Sequence, residues 1–141
     1  MSAENEAIVR RGFDEIAQGE LAVADEIIAT GFVRHDLGGN FPDVTGPEGV
    51  KRLIAALRAA FPDIKMTVED VISGGDRVVV RFTAQATHEG QFQRIAPTGK
   101  RVSWAGINVY RVANGQIQET WQLADTWGLM RQLGAVPETA G

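Results

Sequence analysis

Cysteine is absent from this 141-residue chain. That excludes disulfides and cysteine-based metal sites, and it is compatible with a reducing compartment. Histidine occurs only at positions 35 and 88, too far apart for the local ligand spacing of a zinc site. No basic run of the kind that nucleic acid requires is present. The 14 Lys and Arg residues are mixed with 18 Asp and Glu, for a formal net charge of −4. No apolar stretch approaches the roughly 20 residues of a membrane span, and the opening MSAENEAIVRRG has no apolar signal core. A G-x-S-x-G nucleophile elbow and a glycine-rich phosphate loop are missing too. What remains is a soluble, cytoplasmic protein without nucleic-acid, membrane or metal partners. Its length suits one domain, residues 1–141, able to bury roughly 68–70% of its unfolded surface.

The apolar pattern gives helices first and strands afterwards. Val9, Phe13 and Ile16 mark one stripe of a helix from Ser2 to about Gln18, with Glu4 and Glu6 in its first turn. A shorter helix carries Leu21, Ala24, Ile27 and Ile28 and ends at Gly31; Phe32 to His35 reads as a brief strand. Thr45 and Glu48 have the spacing of a capping box. They open a third helix with Val50, Leu53, Ile54, Leu57 and Phe61 on one face, stopped by Pro62.

From Lys65 the period becomes two. Met66 and Val68 open one strand, Gly74-Gly75-Asp76 turns it, and Val78, Val80, Phe82, Ala84 and Ala86 share a face of the next. Val102, Trp104, Tyr110 and Val112 alternate in a third strand. Asn114-Gly115 signals a tight hairpin into a fourth, with Ile117, Trp121 and Leu123. A short helix or turn spans Thr126 to Gly134. This order predicts an α+β fold, a curved mixed or antiparallel sheet wrapped around N-terminal helices, with a hollow for a small ligand.

Strand parity nominates the residues facing that hollow. His88 is in phase with Val78, Val80, Phe82 and Ala86. Asn108 is in phase with Trp104 and Tyr110, and Glu119 and Asp125 with Ile117, Trp121 and Leu123. The argument assumes no bulge, which would reverse parity beyond it. A carboxylate in an apolar cavity has its charged form disfavoured, the condition for general acid–base work. Plainer roles stand beside these. Asp125 can cap the last helix, Glu119 can pair with Arg111 across the hairpin, and His88 can face solvent at a strand end. The neighbours His35 and Asp36 can serve a turn, and Trp104, Trp121 and Trp127 can be core.

The stretch Gly106 to Ile117, followed by Glu119-Thr120-Trp121, Asp125 and Gly128 to Gly134, resembles the SnoaL-like polyketide cyclases. So do Gly46-Pro47-Glu48-Gly49-Val50, Phe61-Pro62-Asp63 and Pro97-Thr98-Gly99-Lys100. The resemblance implies a cone-shaped α+β fold, no metal or cofactor, and a homodimer or homotetramer. It also implies intramolecular aldol chemistry with Asp125 as acid/base. The cyclases carry a histidine where this chain has Asn108, and an amide can donate to an enolate oxygen but supplies no charge. The expectation is a cofactor-independent acid/base enzyme acting on a hydrophobic polyketide-like or cyclic carbonyl compound, an aldol cyclase or isomerase. Asp125, Asn108 and His88 are expected at the chemistry, with Glu119, Trp104, Trp121, Phe82, His35 and Tyr110 around the substrate. A non-catalytic ligand-binding module and a cofactor-free ring hydroxylase are the alternatives.

Overall fold

Alternation of apolar and polar residues builds the sheet. In β4 (Arg77–Thr87) the buried positions are Val78, Val80, Phe82, Ala84 and Ala86, with every residue between them more exposed. β4 pairs antiparallel with β3 (Lys65–Gly74) and with the long β5 (Arg101–Ala113). β5 pairs antiparallel with β6 (Gln116–Ala124) across Asn114-Gly115. Both turn residues have positive φ, 56° and 72°, the backbone of the turn that matches strand twist. The structure, a computed structural model, describes residues 2–39 and 41–135.

β1 (Ile28–Asp36) returns beside β6 in parallel, and the two-residue β2 (Val44–Thr45) closes the edge, giving the order β2-β1-β6-β5-β4-β3. The sheet is therefore mixed and curls into a cone around the helices. α1 (Ser2–Arg11) packs on β3 and β4, and α3 (Gly46–Ala60) on β1. Val9, Phe13, Ile27, Phe32, Val78 and Phe82 belong to one apolar cluster; Phe61, Ala84, Ala86, Phe92, Val102 and Leu129 belong to a second.

Four local expectations are corrected. The first helix is α only to Arg11 and continues as a π turn over Gly12–Ile16. The second, α2, runs only over Ala24–Ile27, after a 3₁₀ turn at Leu21–Val23. The chain is already extended at Ile28, so Gly31 lies inside β1. Thr45 precedes α3 without a side-chain cap bond, and Glu48 pairs with Lys51 instead. The fourth correction matters most for function. Arg111 pairs with Glu119 but Val112 with Ile117, so Gln118 is a β-bulge that reverses parity. Its side chain donates to Ala113 O at 2.9 Å. Beyond it the expected sides are exchanged: Thr120 and Gln122 line the interior, and Glu119, Trp121 and Leu123 take the outer face.

Candidate functional site

The concave side of the sheet and the helices enclose a cavity of about 340 Å³. Phe13, Phe32, Leu57, Phe82, Trp104 and Ile117 are among the side chains of its largely apolar wall. Five polar side chains of the lining come from three neighbouring strands, and Gln91, Gln93 and Thr126 add others from outside the sheet. Arg34 on β1 is opposite Thr120 on β6, and Thr120 is opposite Tyr110 on β5. One step along the sheet, Gln122 is opposite Asn108. Alternate positions on adjacent strands share a face, so the five side chains form one polar patch in an apolar chamber.

The patch is incompletely satisfied. Arg34 Nη2 donates to Gln122 Oε1, and Asn108 Nδ2 donates to the Tyr110 hydroxyl at 2.8 Å. Arg34 Nη1, Asn108 Oδ1 and Thr120 Oγ1 are buried without partners. An unpartnered buried polar group carries its full desolvation cost, about 1–3 kcal/mol. Burial lowers the pKa of Arg34 despite the opposing influence of Asp36 and Tyr110. Burial likewise pushes the Tyr110 phenol up to about 12, against the Asn108 hydrogen bond and the Arg34 charge. Tyr110 is a neutral hydroxyl at physiological pH. Asp36, at the end of β1, accepts the backbone N–H of Phe41 at 2.9 Å, tying down the loop that carries this cavity residue.

The sequence-nominated residues divide into three groups. Asn108, Tyr110, Trp104 and Phe82 line the cavity as expected from parity. Phe82 packs against Phe13 with ring centroids 5.5 Å apart, and Trp104 against Phe61 at 5.3 Å.

His88 is wholly buried, not solvent-facing, but it is not a lining residue. Its Nδ1 accepts the Thr98 N–H at 3.2 Å and lies 3.0 Å from the Thr98 hydroxyl. An accepting Nδ1 leaves the proton of the neutral ring on Nε2, which is buried without a partner. The His88 backbone also bonds to Lys100 O and to the Gly99 N–H. Its visible work is to latch the turn before β5.

Glu119, Trp121, His35 and Asp125 do not line the cavity, which corrects their expected placement. Glu119 accepts from His35 Nε2 at 2.7 Å and pairs with Arg111 at 3.4 Å. The His35 hydrogen bond holds its carboxyl below the usual range. His35 also faces Asp43 at 3.4 Å and stacks on Trp121, which Arg77 covers from 5.0 Å. Asp125 is exposed and caps α4 (Thr126–Gln132), its Oδ1 accepting the Gly128 N–H at 2.9 Å. No carboxylate or imidazole is among the described residues of the lining. Thr120 and Gln122 were missed because no sequence signal announces a bulge at Gln118. Arg34 was legible only as a cation two places beyond Phe32 on the same strand face.

Residues 7–133 match the family model for the SnoaL-like polyketide cyclases. The chain belongs to this family. Among its relatives is the aklanonic acid methyl ester cyclase DnrD of Streptomyces peucetius. It is 25% identical over 90% of this chain and 88% of its own length. A candidate SnoaL-like polyketide cyclase from Jannaschia sp. CCS1 superposes with a TM-score of 0.87 at 28% identity, covering 96% of this chain and 95% of its own. AclR, a candidate hydroxylase from Streptomyces galilaeus, superposes with a TM-score of 0.85 at 27% identity, covering 99% and 86%. As a SnoaL-like protein the chain has the family's cone, and among the described residues no helix is long and apolar enough to cross a membrane.

Proposed function

We propose that the protein performs cyclase-type acid/base chemistry on a hydrophobic, polyketide-like carbonyl compound held in the cavity. The observation that carries this reading is the group of three unpartnered polar atoms, on Arg34, Asn108 and Thr120, in a largely apolar lining. Removing a proton α to a carbonyl moves negative charge onto the carbonyl oxygen. Fixed donors in a water-poor site stabilise that charge at no reorganisation cost. The Thr120 and Tyr110 hydroxyls are the donors in this reading, Asn108 Nδ2 holds the Tyr110 hydroxyl in place, Arg34 adds positive charge beside them, and Trp104 and Phe82 hold the ring system flat. Asp125 is the proton-transfer group that the family resemblance implies. It stands outside the lining, next on the chain to Thr126, and must turn its carboxyl from the α4 cap toward the cavity to act.

Exchange of solvent deuterium into the α position of tetralone, followed by NMR, tests proton transfer without knowledge of the natural substrate. We expect exchange above the buffer rate, lost in Asp125→Asn, which preserves the helix cap because Asn caps as well as Asp. Undiminished exchange in that variant removes Asp125 from the mechanism. Two other readings have observations of their own. A binding module without chemistry is favoured by the lack of a carboxylate or imidazole in the described lining; it predicts ligand binding with no exchange above background. Ring hydroxylation is favoured by the likeness to AclR and predicts turnover that stops when dioxygen is removed.

A further inference from the structure

We propose that the ligand meets Arg34 with an anionic oxygen, a free carboxylate on a polycyclic aromatic skeleton, in place of a neutral ester. This rests on the reading of the cavity as the site of an oxygenated polycyclic compound, and it specifies that compound's charge. The cation has no counter-charge in the lining. Arg34 donates to the neutral amide of Gln122, its Nη1 has no partner, and no Asp or Glu is among the described lining residues. Tyr110, the acidic hydroxyl nearest it across the sheet, stays protonated to about pH 12. Asp36 does not offset the burial, since the pKa of Arg34 is still lowered. A buried charge is costly until it is paired and hydrogen-bonded.

A carboxylate supplies what is missing. A guanidinium is built for two-point contact with a carboxylate. The hydroxyls of Thr120 and Tyr110, on the next two strands, stay available to the ligand's carbonyl oxygen. A methyl ester would bring neither the charge nor the second strong acceptor. The chain would then differ in ligand class from the Streptomyces peucetius relative, which is named for a methyl ester.

Titration calorimetry of the native protein with anthraquinone-2-carboxylic acid, and separately with its methyl ester, tests the inference. The acid is expected to bind about tenfold tighter or more, the worth of one charge-assisted hydrogen bond. Arg34→Gln should erase the preference and Arg34→Lys should keep it, with circular dichroism confirming that both fold. Equal binding of the two compounds, or tighter binding of the ester, overturns the proposal while leaving the cavity reading intact. A preference unchanged in Arg34→Gln overturns it as well. Failure of both compounds to bind the native protein overturns the cavity reading and this inference with it.

Discussion

Tyr110 is the chain's only tyrosine, so the near-ultraviolet absorbance of phenolate reports on one wall of the cavity alone. The structure places its pKa at about 12 against an ordinary value of 10.0, with burial outweighing the Asn108 hydrogen bond and the Arg34 charge. At about 1.36 kcal/mol per pKa unit, this amounts to on the order of 3 kcal/mol of disfavoured ionisation. The sign follows from proton counting. Between pH 10 and 12 the unfolded chain has released the phenolic proton and the folded chain has kept it. Stability therefore falls as pH rises above 10 and levels off above about 12. A pH jump followed in time, with far-ultraviolet dichroism recorded in parallel, separates the two states. The expected result is a native phenol with its midpoint near 12, ionising earlier only where the fold is lost. Arg34→Gln should move the native midpoint higher still, because the lost cation favoured phenolate. Ionisation centred near 10 with native dichroism would falsify the picture of a phenol desolvated by burial.

Two further substitutions probe the surroundings. Thr120→Val keeps the shape and removes a buried, unpartnered hydroxyl. It should stabilise the unliganded protein by about 1 kcal/mol, a rise of about 3 °C in melting temperature, while weakening binding of the carboxylate probe. A lower melting temperature would mean that the hydroxyl is satisfied. Gly90→Ala should cost about 3 kcal/mol or more and lower the melting temperature by roughly 10 °C. A Cβ there would sit 2.0 Å from the backbone oxygen of Ala59 at the end of α3. A melting curve matching the native protein's would show that the loop carrying Gln91, Phe92 and Gln93 into the cavity is not docked against α3.

Much of the fold was legible because local chemistry and tertiary demand agree. The alternation in β4, the Asn114-Gly115 turn and the stripe of α3 each depend on neighbours in sequence, and each stands where it was predicted. What escaped depends on distant partners. Gly31 reads as a helix stop, but pairing with β6 draws the chain into β1 from Ile28. Thr45 and Glu48 have cap spacing, but Lys51 takes the carboxylate. Half of the site was legible for the same reason. Asn108, Tyr110, Trp104 and Phe82 lie on uninterrupted strands, where parity holds. Glu119, Trp121 and Asp125 lie beyond a bulge, and counting by two carried each to the wrong side.

That bulge makes the chamber's chemistry a matter of frame. Strand β6 carries two alternative sets of side chains, Thr120 and Gln122 in one phase and Glu119, Trp121 and Leu123 in the other, and one residue selects between them. Drawing Gln118 into the ladder as an ordinary paired residue would turn the second set inward, bringing an acid and an indole to face Arg34 and sending the hydroxyl and the amide to the outer surface. A family built on this scaffold can thus exchange the whole lining of one wall by forming or flattening a single bulge. In such a family, aligned residue identity along β6 predicts a relative's pocket only when the bulge is aligned as well.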